Sequence, residues 1–498
     1  MLWIIGGLLL WISAVALFLM ACAIPASWIP TGGNREARAT PTALAAATVV
    51  NPPPWTVAPS LPAPVATATG VVDPFPVATP TDAQVILPPA PTVAPIAQGG
   101  DGQAVAPPLV QTGTLVDIQY VDSYGTAAID DLSRTFYPET NFVPARYIVD
   151  RYQIRFQTLD QWHQLNTIRA ELFIPHVEAP TEFPLFVYGS GTTGIGNDCA
   201  PLDELTRGRN WGSYRTHMLS YATQGYLAVL PLWQGYDDLA RTHPYFIAEL
   251  EGEVMLDAAR AVLRFFGSTP TVQARPAAAV FFAGYSQGSH GAFAADTMAP
   301  AYASELPIKG VIGHAGAPNV EALLREAPSL APYIVYAFRD YYGPDVITPA
   351  QVFQDPWLPS FDTDASTKCV DEIYDYYHGG QGNIYRPDFS QSLYGGRLGF
   401  DIPNFKAALD RNDVGRSVNP QVPALLLHGS ADPIVTPQTN DAFMRQLCQQ
   451  GKPVTYYLYN NVHHFQTRQY SFVDTLNWMQ AILTGAPVRS DCATILAR

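Results

Sequence analysis

Val280-Phe281-Phe282-Ala283-Gly284-Tyr285-Ser286-Gln287-Gly288 decides how this chain is read. The apolar residues 280–283 read as a buried strand, and a helical pattern begins directly after Gly288. Between them stands a serine with glycines two before and two after it. A serine on so sharp a strand-to-helix turn is exposed at the sheet's edge. The flanking glycines let neighbouring backbone approach without a Cβ in the way. The helix N-terminus behind it favours developing negative charge. Alone, Gly-x-Ser-x-Gly arises in roughly one in ten chains of this length from ordinary residue usage. Strand before and helix after make it a nucleophile elbow, with Ser286 as the candidate nucleophile.

Outward from this turn the pattern is that of an α/β fold. Short apolar runs at 184–188, 226–230, 278–283, 310–312 and 423–427 read as buried strands of a mostly parallel sheet. Two earlier strands, over 146–156 and 165–174, alternate in part, as half-exposed antiparallel strands do. The stretch 249–266 repeats apolar residues at Met255, Ala259, Val262, Leu263 and Phe266, the spacing of a helix crossing between parallel strands.

A serine hydroxyl needs a base, and the base needs an acid to hold it. Downstream, the strand at 423–428 opens into Gly429-Ser430-Ala431-Asp432-Pro433, which sets Asp432 in a loop at a strand end. A last strand at 454–459 runs into Asn460-Asn461-Val462-His463-His464. One of these two histidines is the candidate base, and His464 is preferred. The remaining histidines are read as surface or satisfied core residues. An oxyanion hole requires two convergent N–H groups. Gln287, next to the nucleophile, supplies the first. The small-residue loop Gly189-Ser190-Gly191-Thr192-Thr193-Gly194 offers the second, at Thr192. No lysine follows that loop, which argues against a phosphate cradle.

The N-terminal part has a different character. Residues 1–20 carry no charge and are long enough to span a bilayer as a helix. They end in Leu19-Met20-Ala21-Cys22, so residues 1–22 are either a signal peptide with a lipobox-like end, lipidated at Cys22, or an uncleaved membrane anchor. Residues 23–110 are rich in Pro, Ala and Thr and read as a disordered linker lifting a domain at 111–498 away from its anchor. A net charge of −15 excludes nucleic acid as a partner. With Cys22 set aside, four of the five cysteines remain, enough for two disulfides in an oxidising compartment; four free buried thiols are the alternative.

These motifs together resemble the secretory lipase family of α/β-hydrolases. The likeness rests on Gly191-Thr192-Thr193-Gly194 with Cys199-Ala200-Pro201, on Gly284 to Gly288, on the segment around Asp432, and on Val454-Thr455-Tyr456 leading to His464. It implies an α/β-hydrolase fold, hydrolysis of acyl esters without cofactor, and disulfides Cys199–Cys369 and Cys448–Cys492; separately, no cluster of histidines and carboxylates has metal-ligand spacing, so no metal is expected. The resemblance also supports His464 by its distance from Tyr459. The chain departs from the family in having Ser190 where histidine is common, Ser289 for a glycine, and the long linker. The segment at about 318–420 lies between two strands and is too long for a loop, so it is expected to form a cap. Its Tyr374, Tyr376, Tyr377, Phe389 and Phe400 would line an apolar pocket or fill the cap's own core.

The expectation is therefore an extracytoplasmic, surface-anchored or secreted serine hydrolase acting on small-molecule or lipid esters. A peptidase or acyltransferase on the same three residues is the enzymatic alternative. A binding protein with a decayed site is the alternative of another class.

Overall fold

The computed structural model describes residues 111–498 apart from Leu239. The expected membrane segment, Cys22 and the linker lie outside these residues. Among the described residues, no helix is long and apolar enough to cross a membrane.

Nine strands form one sheet: β1 Leu115–Tyr124, β2 Val149–Leu159, β3 Leu165–Pro175, β4 Thr181–Gly189, β5 Leu227–Pro231, β6 Ala274–Tyr285, β7 Ile308–His314, β8 Ala424–Gly429 and β9 Val454–Tyr459. Their order is β1-β2-β3-β5-β4-β6-β7-β8-β9. The first three strands are an antiparallel meander, and β3 pairs antiparallel with β5. From β5 through β4, β6, β7 and β8 to β9 every pair is parallel.

The burial patterns follow from this position. β5 and β8 are buried at every residue, as strands covered on both faces must be, and their unbroken Leu, Val and Ala runs meet that demand. β2 alternates buried with half-buried residues over its first half, and β1 at the edge is mostly exposed. Residues Thr126–Phe136 (α1), Tyr214–Thr223 (α2), Ala248–Ser268 (α3) and Gln287–Tyr302 (α4) are helical. The last two make the crossovers into and out of β6. Along α3, Val254, Met255, Ala258, Ala259, Val262 and Phe265 are fully buried. At about 25 cal/mol per Å2 of apolar surface removed from water, each of the larger side chains contributes roughly 1.5–3 kcal/mol.

β1 and α1 extend the fold beyond the strands expected from sequence. β1 interleaves Asp117, Gln119 and Asp122 with its apolar residues, so its alternation is weak. Between β7 and β8 the chain forms short helices from Val320–Glu326 to Pro403–Arg411. They bury a core of their own, with Leu323, Ile334, Phe338, Phe353, Tyr385 and Phe405. Tyr377 and Phe389 belong to that core, whereas Phe400 is 82% exposed.

Candidate active site

The ends of β8 and β9 bring Asp432 and His464 together, and the turn after β6 sets Tyr285, the neighbour of Ser286, against the His464 ring. Ser286 lies between β6 and α4 with φ 54° and ψ −114°, backbone that costs a non-glycine residue about 1–3 kcal/mol. The surrounding packing enforces the turn. A Cβ at Gly284 would overlap the carbonyl of Gly288, and one at Gly288 would overlap that of Gly189. The Ser286 N–H donates to the His314 carbonyl at 3.0 Å, and its own carbonyl accepts from Ser289 and Ala317.

Asp432 sits in the loop after β8, 5% exposed. Its Oδ1 accepts the N–H groups of Ile434 and Val435 at 2.9 and 3.0 Å. Its Oδ2 lies 2.7 Å from His464 Nδ1. Burial works to raise its pKa, but the His464 hydrogen bond and charge, with His428 and the Val435 amide, outweigh burial and hold it below the usual carboxylate value. His428 Nε2 is 3.4 Å from Oδ2 and also faces the Val435 carbonyl at 2.9 Å.

His464 begins the short turn His464–Gln466 after β9 and is buried. Its ring centroid is 5.0 Å from that of Tyr285, the neighbour of Ser286. His463 is exposed, and its N–H donates to the Gln466 side chain. Of the two histidines, His464 is the one that meets Asp432.

The loop after β4 is clamped from several sides. The Gly191 N–H donates to the Tyr214 hydroxyl at 2.8 Å. Thr192 Oγ1 is 2.6 Å from the Tyr245 hydroxyl, Trp233 Nε1 donates to the Ser190 carbonyl, and the Tyr236 hydroxyl donates to the Gly194 carbonyl. Gly194 packs on the Cys199–Cys369 disulfide. Among the described residues, the N–H groups of Thr192 and Gln287 have no hydrogen-bond acceptor, so both remain able to bind a developing oxyanion. Where the family commonly has histidine, the Ser190 side chain is buried and its hydroxyl has no partner.

Sequence reasoning missed the residues that hold Gln287. Its side-chain amide donates to Glu251 Oε1 at 2.8 Å and meets His243 Nε2 at 2.5 Å. Burial lowers the His243 pKa to about 3, so the ring is neutral: it accepts from Gln287 and donates through Nδ1 to the Gln234 carbonyl. Glu251 also binds His290 at 2.6 Å, and His290 reaches the Asn412 carbonyl. No local pattern marks Glu251, because its partner Gln287 is 36 residues away. Both expected disulfides are present, Cys199–Cys369 and Cys448–Cys492, each with Cα atoms 5.3 Å apart.

A mostly parallel sheet with a serine at its strand-to-helix turn and an acid–histidine pair after later strands defines the α/β-hydrolase class. Solved structures agree on this fold. Similar chains include the rice cell wall degrading esterase LipA from Xanthomonas oryzae, 20% identical with TM-score 0.59, matching 75% of this chain and 97% of that one. Candida antarctica lipase A is 16% identical with TM-score 0.57, over 77% of this chain and 87% of that one. The secretory lipase family model matches residues 214–340 and 367–491, and the chain belongs to that family of hydrolases. Lipase A of Arthroderma benhamiae is 26% identical over 368 residues, 69% of this chain and 72% of the relative.

Proposed function

We propose that this protein is an extracytoplasmic serine hydrolase that cleaves carboxylic esters through an acyl-enzyme. Ser286 attacks the ester carbonyl, His464 takes its proton and returns it to the leaving alcohol, and Asp432 holds the imidazole in the required tautomer. The backbone N–H groups of Gln287 and Thr192 bind the oxyanion. The observation that carries this reading is the 2.7 Å Asp432–His464 contact, beside the strained turn that presents Ser286. The secretory family and the two disulfides support an extracytoplasmic site of action. Residues 1–22 then export or tether the chain, residues 23–110 space it, and residues 111–498 form the catalytic domain.

Ser286 is 5% and His464 3% exposed, which suits a site sheltered by a cap that moves to admit substrate. The helical segment at 318–420 is the cap that does so. Tyr374, on that segment, is near enough to Asp432 for the carboxylate charge to add to burial in raising its pKa. A cleft of about 1200 Å3 lined by Trp162, Tyr336 and Arg411 includes none of the five proposed site residues and is not assigned to the acyl chain.

The test is hydrolysis of p-nitrophenyl esters of graded chain length by wild type and Ser286→Ala. A serine-dependent rate with a chain-length optimum is expected. Equal rates in the two proteins would remove Ser286 from the mechanism.

A further inference from the structure

Behind the loop at 189–194 lies a buried cluster that the ester chemistry does not use. Its centre is Arg468, four residues after His464 and 2% exposed. The guanidinium carbon is 4.3 Å from the ring centroid of Tyr285, 5.2 Å from that of Tyr214 and 5.5 Å from that of Phe136. Its Nε and Nη1 have no hydrogen-bond partner. Arg468 forms no ion pair with a described carboxylate. Glu204, the carboxylate whose charge bears on it, already accepts the N–H groups of Tyr214 and Gly212.

The neighbours also carry buried polar atoms without partners. The Tyr188 hydroxyl lies within reach of the Arg468 guanidinium, and the hydroxyls of Tyr285 and Ser190 and the Nε2 atoms of His217 and His314 are buried and unpartnered. The Arg468 charge bears on Tyr188, Tyr285, His217 and His314 alike. The two imidazoles are 6.1 Å apart, and Tyr188 is 4.9 Å from His217. Burial keeps both histidines neutral, with His314 lowered to about 3. The hydroxyls of Tyr137 and Ser471 face their Nδ1 atoms at 2.9 and 3.0 Å. With those hydroxyls donating to Nδ1, each ring carries its proton on Nε2, the atom left without a partner.

An unpaired buried cation ringed by N–H and O–H groups is costly to fold unless an acceptor of opposite charge completes it. Water accepts about two hydrogen bonds and leaves the charge unbalanced. We propose that Arg468, Tyr188, Tyr285, His217 and His314 form an internal site for one small monovalent anion of the halide class. The anion braces the structure behind the nucleophile turn: Tyr285 adjoins Ser286, and Tyr214 holds the Gly191 N–H. This inference does not depend on the proposed ester chemistry, and its test uses no ester.

The full chain is purified and crystallised with bromide replacing chloride throughout, and diffraction is collected at the bromine edge. An anomalous peak within hydrogen-bond reach of Arg468 is expected. Its absence overturns the proposal in favour of water alone. In parallel, thermal unfolding of the full chain is followed in bromide and in gluconate at equal ionic strength. Halide at 100 times its dissociation constant shifts the folding equilibrium about 100-fold toward the folded state. Arg468→Met is expected to lose that response. If Arg468→Met does not fold, Tyr188→Phe, which removes one donor, weakens it. Identical unfolding of the wild type in both salts refutes the site.

Discussion

Asp432→Asn separates the proposed role of the carboxylate from a purely structural one. In the wild type, Oδ1 accepts two backbone N–H groups and Oδ2 faces the His464 Nδ1 proton. Asparagine has one acceptor oxygen. If that oxygen serves Ile434 and Val435, whose amides are fixed by the loop, the NH2 group faces His464. The ring must then accept at Nδ1 and carry its proton on Nε2, which leaves no base for Ser286. The opposite amide rotamer sets NH2 against two backbone donors and is worse. The carboxylate's stabilisation of the imidazolium is lost as well. Together these are worth about four decades in kcat in a triad of this kind, or roughly 5.4 kcal/mol at 1.36 kcal/mol per decade. KM should change little, because the missing interaction operates in the transition state. Steady-state kinetics on a p-nitrophenyl ester measure the rate, and 15N chemical shifts of the His464 ring report the tautomer. A variant within about tenfold of wild type would refute the assignment. The pKa of Asp432 is lowered by folding, so its contribution to stability is present above the unfolded value of about 3.9 and is lost as pH falls through the lower native value. An acid limb of activity above about pH 5 would therefore come from another group.

Three further outcomes are expected. His464→Ala should fall to the residual rate that oxyanion binding alone gives, while His463→Ala, at an exposed position, should stay near wild type; the same ester assay decides between them. Glu253 on α3 is buried with Oε2 unpartnered, and burial, reinforced by Glu249 and Asp257, raises its pKa to about 9. Its protonated form is thus favoured in the folded state, and stability is lost as pH rises from about 4.3 toward that value, by up to about 4 kcal/mol near pH 7.5. Glu253→Gln should remove this loss, so a melting-temperature advantage over wild type should grow between pH 5 and 8.5; a constant difference would contradict the buried-carboxyl account. Replacing both Cys199 and Cys369 by alanine should cost about 2–5 kcal/mol and lower kcat further than melting alone explains, because Gly194 of the proposed oxyanion loop rests on that disulfide. Unchanged kcat in folded protein would show that the disulfide does not position the loop.

The sequence carried the elements that obey local rules. Strands β4, β5 and β8 were legible because a strand buried on both faces has to be apolar along its length. The turn at Ser286 was legible because Gly284 and Gly288 are demanded by backbone contacts that admit no Cβ. Asp432 and His464 followed from their places after strands, and the preference for His464 over His463 agrees with which ring is buried against the carboxylate. β1 was hidden because an edge strand tolerates Asp117 and Asp122, and the alternation dissolves. The support of Gln287 was hidden for a different reason. His243, Glu251 and His290 are ordinary residues in their own segments, and only the packing of α3 and the loop before it on α4 makes them a network. Arg468 was equally silent, since nothing local distinguishes a surface arginine from a buried one.

The same distinction explains why the loop at 189–194 and the segment between β7 and β8 must be considered as one unit. The loop's own residues are small and make few interactions that could fix it. Its geometry is imposed by Tyr214, Trp233, Tyr236 and Tyr245 and, from the helical insertion, by Cys369 and the Val370 N–H, which donates to the Thr193 carbonyl at 2.9 Å. A shift of the helix Val370–Tyr376 therefore pulls on the residue beside Thr192. Tyr374, whose pKa responds to the Asp432 charge, rides on that same helix. On the proposed mechanism, opening of the insertion to admit an ester would disturb the second oxyanion donor, and closing would restore it. Substitutions that loosen Val370–Tyr376 should lower kcat before they raise KM, whereas changes on the outer face of the insertion, as at Phe400, should leave both untouched.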